Sequence, residues 1–252
     1  MSAQEPTSPA EPHPPILAAD SFLVRMRDGA AHVRGWELHR ERFAAAVLGV
    51  RPEAGEALDR FLDDARRALA EAGAGFPRLE LRAGPPDAPP DLRVALRPAP
   101  QLGATIELRS SDEPIAPHAD RKGPNIPRYA ELRRRLGAEP LILDERGSIV
   151  EGGTTALLWW EGAEGRVVGN RRRVASVTER LLRDAAAQAG TPLVDAEIGA
   201  AGAARREVWA LNALHGIRTV SSIDGVAAPT PDPGRLAVFR AALEDRWAPI
   251  LG

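Results

Sequence analysis

The chain has 252 residues, 27% of them charged, and a formal net charge of −2. That length suits one large domain or two small ones sharing a core, and the balance of charge carries no basic footprint for nucleic acid or an acidic membrane. Cysteine is absent, which excludes disulfides, thiolate metal sites and cysteine nucleophiles. No apolar run approaches a bilayer span. No basic segment followed by an apolar stretch opens the chain, so the expectation is a soluble cytoplasmic protein without a membrane partner.

Residues 1–15, rich in proline and small polar residues, predict a disordered tail. The apolar run 16–24 predicts a strand, Met26 to Gly29 a turn, and 31–34 a return strand. Two helices follow, over 37–48 with Leu38, Phe43, Ala46 and Val47 inward, and over 52–72. Short strands are predicted at 78–81, 92–96 and 105–108, with proline-rich turns between them. This first part, 16–110, reads as a small N-terminal α/β domain. The polar, proline-punctuated stretch 111–121 reads as a connection, and 122–252 as a second, larger domain. Within the latter the pattern predicts helices at 130–136, 178–189 and 236–245. It predicts strands at 141–144, 149–151, 156–160, 193–194, 207–211 and 219–223, the last leading through Asp224-Gly225 into a hairpin.

Lys122 is the one lysine beside 32 arginines. An arginine bias alone reflects genome composition, and a lone lysine on a surface loop is its bland reading. But a buried lysine can lose its proton and attack a carbonyl, which arginine cannot do. Lys122 lies in Arg121-Lys122-Gly123-Pro124-Asn125, on a turn before a helix. Glu151 stands where a strand meets Gly152-Gly153. A pyridine-ring cofactor needs both types of group: an amine for its aldehyde and a carboxylate for its ring nitrogen. Taken alone, Glu151 is equally a solvated turn residue.

Ser176-Val177-Thr178-Glu179 has capping-box spacing, and the helix start it opens would attract an anion such as phosphate, although Glu179 would repel one if it faced the site. Taken alone, this is an ordinary capped helix. Arg42, beside Phe43 and four residues after Leu38, can run its stem along an apolar face and aim its fork inward at a phosphate. The alternative there is a surface ion-pair helix with His39, Arg40 and Glu41. Arg171, Arg172 and Arg173 read as a solvated loop.

The order of Arg42, Lys122, Glu151 and Val177-Thr178 resembles the fold-type IV pyridoxal-phosphate enzymes, the class IV aminotransferase family, over residues 20 to 225. The resemblance implies an α/β (α+β) fold with a larger C-terminal pseudo-barrel domain, as in D-amino-acid aminotransferase-like enzymes. It implies pyridoxal 5'-phosphate as cofactor, a small-molecule amino substrate and a homodimer. By it, Lys122 is the Schiff-base lysine, Glu151 the partner of the pyridine nitrogen, and Arg42, Val177 and Thr178 hold the phosphate. The Lys122–Asn125 spacing and Asn212-Ala213-Leu214 ahead of Val220 resemble aminodeoxychorismate lyase, which places Asn212 in the site and points to a role in folate synthesis. A transaminase of branched-chain or D-amino acid type is the alternative. The chain departs from the family pattern at Val24, where some lyases have a threonine that assists proton transfer, and at Ile126, Ala156 and Gly169-Asn170. A non-catalytic homologue that binds a partner is the third reading.

Overall fold

The computed structural model describes residues 14–85 and 87–251, so the predicted tail over 1–13 lies outside the described residues. The chain runs β1 (Ile16–Ser21), β2 (Val24–Arg27), β3 (Ala30–Arg34), α1 (Trp36–Leu48), α2 (Gly55–Ala72), β4 (Arg78–Arg82), β5 (Asp91–Ala95) and β6 (Thr105–Ser110). It continues with α3 (Ile126–Leu136), β7 (Glu139–Leu143), β8 (Ile149–Gly152), β9 (Ala156–Glu161), β10 (Glu164–Val168), α4 (Val177–Gln188) and β11 (Val194–Ala196). It ends with α5 (Ala200–Ala203), β12 (Glu207–Asn212), β13 (Gly216–Ile223), β14 (Val226–Ala227), α6 (Pro233–Glu244) and β15 (Trp247–Pro249).

The run 16–24, expected to be one strand, is two strands in different sheets. β1 pairs antiparallel with β4, and β2 pairs antiparallel with β3. The break falls at Phe22 and Leu23, which are consecutive and both buried. Phe22 turns onto Trp36 and His39, at ring-centroid distances of 5.5 and 5.0 Å. Three elements escaped the sequence pattern: β10, whose only apolar side chains are Val167 and Val168 after Glu164, Gly165 and Arg166, the short α5, and β15. The last returns to pair with β3, and β6 bonds in parallel to both β13 and β7.

The large sheet has the order β11-β10-β9-β12-β13-β6-β7-β8, with β14 on β13. Its shape follows from one short link. β8 is an edge of this path and β9 lies five strands away, yet only residues 153–155 join them. A flat sheet would set them about 24 Å apart; four Cα steps span at most about 14 Å. The sheet therefore curls back on itself, and Glu151, Gly152 and Thr155 meet inside the curl, where Gly152 and Thr155 form a bridge.

Both faces of the curled sheet are covered. β9 sends Leu157 and Trp159 into one apolar cluster and Leu158 and Trp160 into another. This is why it reads as an unbroken apolar run rather than an alternating one. Against the second face, α4 and α6 pack through Leu181, Leu182, Phe239 and Leu243. Trp160, Trp209 and Phe239 meet edge to face there, with centroids 5.2–5.4 Å apart. A separate cluster joins α1 and α2 to the smaller sheets through Phe43, Val47, Leu58, Leu62, Leu79 and Leu81.

Trp209 is fully buried at the centre of that aromatic trio. Trp209→Ala should therefore cost about 3–5 kcal/mol, read as a lowered midpoint in chemical denaturation with the slope unchanged. A midpoint shift worth under about 1 kcal/mol would mean that α6 is not held through this contact.

Candidate active site

Lys122 sits where the two parts of the fold touch. Its carbonyl accepts a 2.7 Å hydrogen bond from the Ala19 N–H of β1. The next residue, Gly123, has φ 136°, and a Cβ there would lie 2.9 Å from backbone atoms of Ala18 and Ala19. Only glycine allows so close an approach. The Lys122 Nζ lies 3.5 Å from the Ser21 carbonyl. Burial pulls the ammonium down to about 8, the Asp20 charge opposes this, and Arg42, Arg97 and Arg78 add to it. At pH 7 about a tenth of the amine is thus neutral, the form that a nucleophile or proton acceptor requires.

Asp20, missed in the sequence, organises the neighbouring wall. It is fully buried. Its Oδ2 accepts from Arg42 Nε, and its Oδ1 from Arg42 Nη2 and His39 Nδ1, each at 2.8 Å. Burial pushes this carboxyl up, but Arg42, His39 and Lys122 outweigh that and hold it well below the usual carboxylate range. His39 is buried rather than part of a surface ion-pair face. Burial pushes its pKa down, against the pull of Asp20, so the ring is neutral with its proton on Nδ1 facing the carboxylate. The signal was present: Asp20 is the one charge in the apolar run 16–24.

Arg42 reaches across to the start of α4, where its Nη1 donates to the Ala175 carbonyl at 2.8 Å. Three of its five N–H groups are engaged and two remain. Ser176 caps α4 by accepting from the Glu179 N–H at 3.2 Å. The N–H groups of Val177 and Thr178 have no partner within the helix. The Thr178 side chain is buried, and its hydroxyl has no hydrogen-bond partner among the described residues. A helix start beside a guanidinium fork is a ready anion site.

Two expectations about this segment are corrected. The capping box is half formed, because Glu179 turns away and pairs with Arg173 at 2.8 and 2.9 Å and with Arg183 at 3.0 Å. Its charge is therefore neutralised rather than aimed at an anion. Arg171 and Arg172 are exposed, but Arg173 is not a solvated loop residue. Its fork is packed against Glu179 and donates to the Val168 carbonyl at 2.8 and 3.1 Å. Glu179 is buried and needed a counter-ion, and a run of three arginines did not reveal which of them would supply it.

Glu151, on β8, is 5% exposed. Its Oε2 accepts from the Val174 N–H at 3.2 Å, while its Oε1 is buried with no partner. Burial pushes the carboxyl up to about 8, opposed by the Val174 N–H, Arg173 and Tyr129. Tyr129 stands beside it, and burial together with the Glu151 charge pushes the phenol up as well. Asn212 closes the β12–β13 turn by accepting from the His215 N–H at 2.8 Å, and its amide donates to the Thr154 carbonyl at 3.4 Å.

All six residues singled out in the sequence, Arg42, Lys122, Glu151, Val177, Thr178 and Asn212, line one cavity of about 370 Å³. Val24 does not line it; its side chain is buried in the cluster of the smaller sheets. The sequence reading missed several basic side chains in the same wall: Arg78, Arg97, Arg133, His215 and Arg218. Nothing local in the sequence separates them from the other arginines and histidines.

A buried carboxyl that keeps its proton up to about 8 makes the cofactor-free protein pH-sensitive. In the unfolded chain this group ionises near 4.5, so between about 4.5 and 8 the folded state binds the extra proton. Stability should fall as pH rises through that window. Glu151→Gln should flatten the fall and raise stability at pH 8 by a few kcal/mol, measured by urea denaturation of cofactor-free protein. Parallel wild-type and variant curves would show that Glu151 is ionised and satisfied.

No helix among the described residues is long and apolar enough to cross a membrane. No sequence among the curated proteins matches the chain. Solved structures match across nearly its whole length. A T.th. branched-chain amino acid aminotransferase with pyridoxamine 5'-phosphate has a TM-score of 0.80 at 17% identity, over 92% of this chain and 89% of that one. A candidate 4-amino-4-deoxychorismate lyase from Legionella pneumophila has a TM-score of 0.74 at 15% identity, over 90% and 91%. The PLP form of a Thermobaculum terrenum branched-chain aminotransferase has a TM-score of 0.76 at 13% identity, over 92% and 89%. At these identities the likeness is one of fold. The model of the class IV amino-transferases matches residues 19–223, and the chain belongs to that family.

Proposed function

We propose that this chain is a pyridoxal-phosphate-dependent lyase of the aminodeoxychorismate type, converting 4-amino-4-deoxychorismate to 4-aminobenzoate and pyruvate. One observation carries the cofactor assignment. Glu151, whose buried Oε1 has no partner, lines the same cavity as Lys122 and the Arg42–α4 anion site. A ring nitrogen, an aldehyde and a phosphate each find a group of matching chemistry there. When bound, pyridoxal phosphate supplies an aldehyde that condenses with amines and a ring that accepts an electron pair from the adjoining carbon.

The chain's own residues have separable duties. Arg42 and the N–H groups of Val177 and Thr178 hold the phosphate. Asp20 and His39 fix the Arg42 fork. Glu151 keeps a proton at the ring nitrogen. With its Nζ free, Lys122 would take the proton from the amine-bearing carbon. As the C–O bond to the enolpyruvyl group breaks, Lys122 can return a proton to the leaving group, which departs as pyruvate. Ser21 lines the cavity beside the lysine, whereas Val24 is buried elsewhere and has no part in proton transfer.

An amino-acid transaminase is the second reading, favoured by the likeness to branched-chain enzymes. Against a branched-chain substrate stands the wall itself, where Arg97, His215 and Arg218 suit an anionic substrate better than an apolar one. A homodimer is expected from the family resemblance.

Purified with pyridoxal phosphate, the protein should show a visible absorption band that borohydride abolishes and that Lys122→Ala lacks. 4-Aminobenzoate should then form from 4-amino-4-deoxychorismate without any keto acid, falling by about 10³-fold or more in the variant. A colourless wild type would overturn the cofactor reading. Amino transfer that requires a keto acid, with no 4-aminobenzoate formed, would overturn the lyase reading in favour of the transaminase.

A further inference from the structure

Arg218 projects from β13 into the cavity wall and is 9% exposed. Its Nε is buried without a partner, and its guanidinium makes no hydrogen bond or ion pair with any described residue. A desolvated, unpaired cation is costly. Glu139, the carboxylate whose charge acts on Arg218, is committed elsewhere. It accepts from the Thr154 N–H and hydroxyl and is ion-paired with Arg133. Counting Arg218, Arg133 and Glu139, the cluster keeps a net positive charge.

His215 stands beside Arg218 in the β12–β13 turn and also lines the cavity. Its Nδ1 accepts from the Gly103 N–H at 3.2 Å, which leaves the ring proton on Nε2. Burial, with Arg218 and Arg133 nearby, pulls its pKa down to about 4. The ring is therefore a neutral donor next to a fixed cation. The cofactor groups assigned above draw on Arg42, Lys122, Glu151 and the α4 start, and none of them calls on Arg218 or His215.

We propose that Arg218 and His215 form an anion subsite of this cavity, and that the substrate carries an acidic group, remote from its amine-bearing carbon, that docks there. The inference rests on reading the cavity as the active site, and it deepens that reading by naming the substrate class and the residues that select it. An unpaired guanidinium with an N–H donor at its side matches a carboxylate, and its desolvation makes the contact selective against a neutral group of the same shape.

The test uses the protein loaded with pyridoxal phosphate and two inert probes, glutarate and valerate. These have the same chain length and two and one carboxylates respectively. Titration calorimetry should show glutarate binding at least about tenfold more tightly than valerate. In Arg218→Gln the preference should fall below about threefold. Arg218→Met, which keeps apolar bulk in the same space, serves if the glutamine variant does not melt cooperatively. Equal affinities in the wild type, or a preference that survives in the folded variant, would overturn the proposal. Because neither probe turns over, a failed lyase assay with an Arg218-dependent glutarate preference would sink the lyase reading and leave this subsite standing.

Discussion

Ala18 and Ala19 press against Gly123 so closely that no side chain fits between them. This contact, locked by the bond from the Ala19 N–H to the Lys122 carbonyl, fixes where the reactive amine can be. β1 belongs to a small sheet of the first part, and Lys122 begins the approach to the curled sheet. Joining them at one backbone contact brings Asp20 and Lys122 into the same electrostatic environment. The Asp20 carboxylate then aims Arg42, and Arg42 reaches the start of α4. On the other side, the short 153–155 link forces the curl that carries Glu151 inward. Both constraints lie in the backbone, so the cavity is in place before any ligand arrives.

The buried carboxylates show how charge is distributed around this frame. Glu80 pairs with Arg78 and Arg82, Glu179 with Arg173 and Arg183, Asp20 with Arg42, and Glu139 with Arg133. Among the buried carboxylates described, Glu151 alone has no arginine ion pair. Arg218 is the matching exception among the buried arginines described, since Arg34 lies over the Trp247 ring. A buried charge is normally paired, so these two charged side chains, both in the wall of a single cavity, point to where ligand groups would dock. The structural pairs stabilise the fold without reference to a ligand. The unpaired groups weaken the empty protein and become favourable only when the cavity is filled.

The parts of this site legible in the sequence were those whose chemistry is local. Lys122 stood out because no other residue in the chain can do what it does. The α4 start was marked by Ser176 and the residues after it, and Glu151 by a glycine turn at a strand end. The parts that were not legible depend on contacts far along the chain. Asp20 meets Arg42 across 22 residues, and Arg42 meets Ala175 across 133. Arg173 and Arg218 were indistinguishable from the other arginines until folding set one against Glu179 and left the other alone. The split of β1 from β2 escaped for a related reason. Phe22 and Leu23 continue an apolar run in sequence, but the strand before them pairs with β4 and the strand after them with β3.

The arginine bias itself acquires a physical meaning at this site. Arg42, Arg78 and Arg97 lie close enough to press the Lys122 pKa down, and a guanidinium keeps its charge across the whole range in which Lys122 titrates. The arginines' contribution to the field at Nζ is therefore constant, and of these four basic groups only the lysine changes charge with pH. Lysines in those three positions would share the titration, weakening the shift as each lost its proton. They would also offer competing amines to any aldehyde that entered the cavity. A wall of arginines supplies positive charge for anions without supplying a second nucleophile, so Lys122 is the only amine side chain available there.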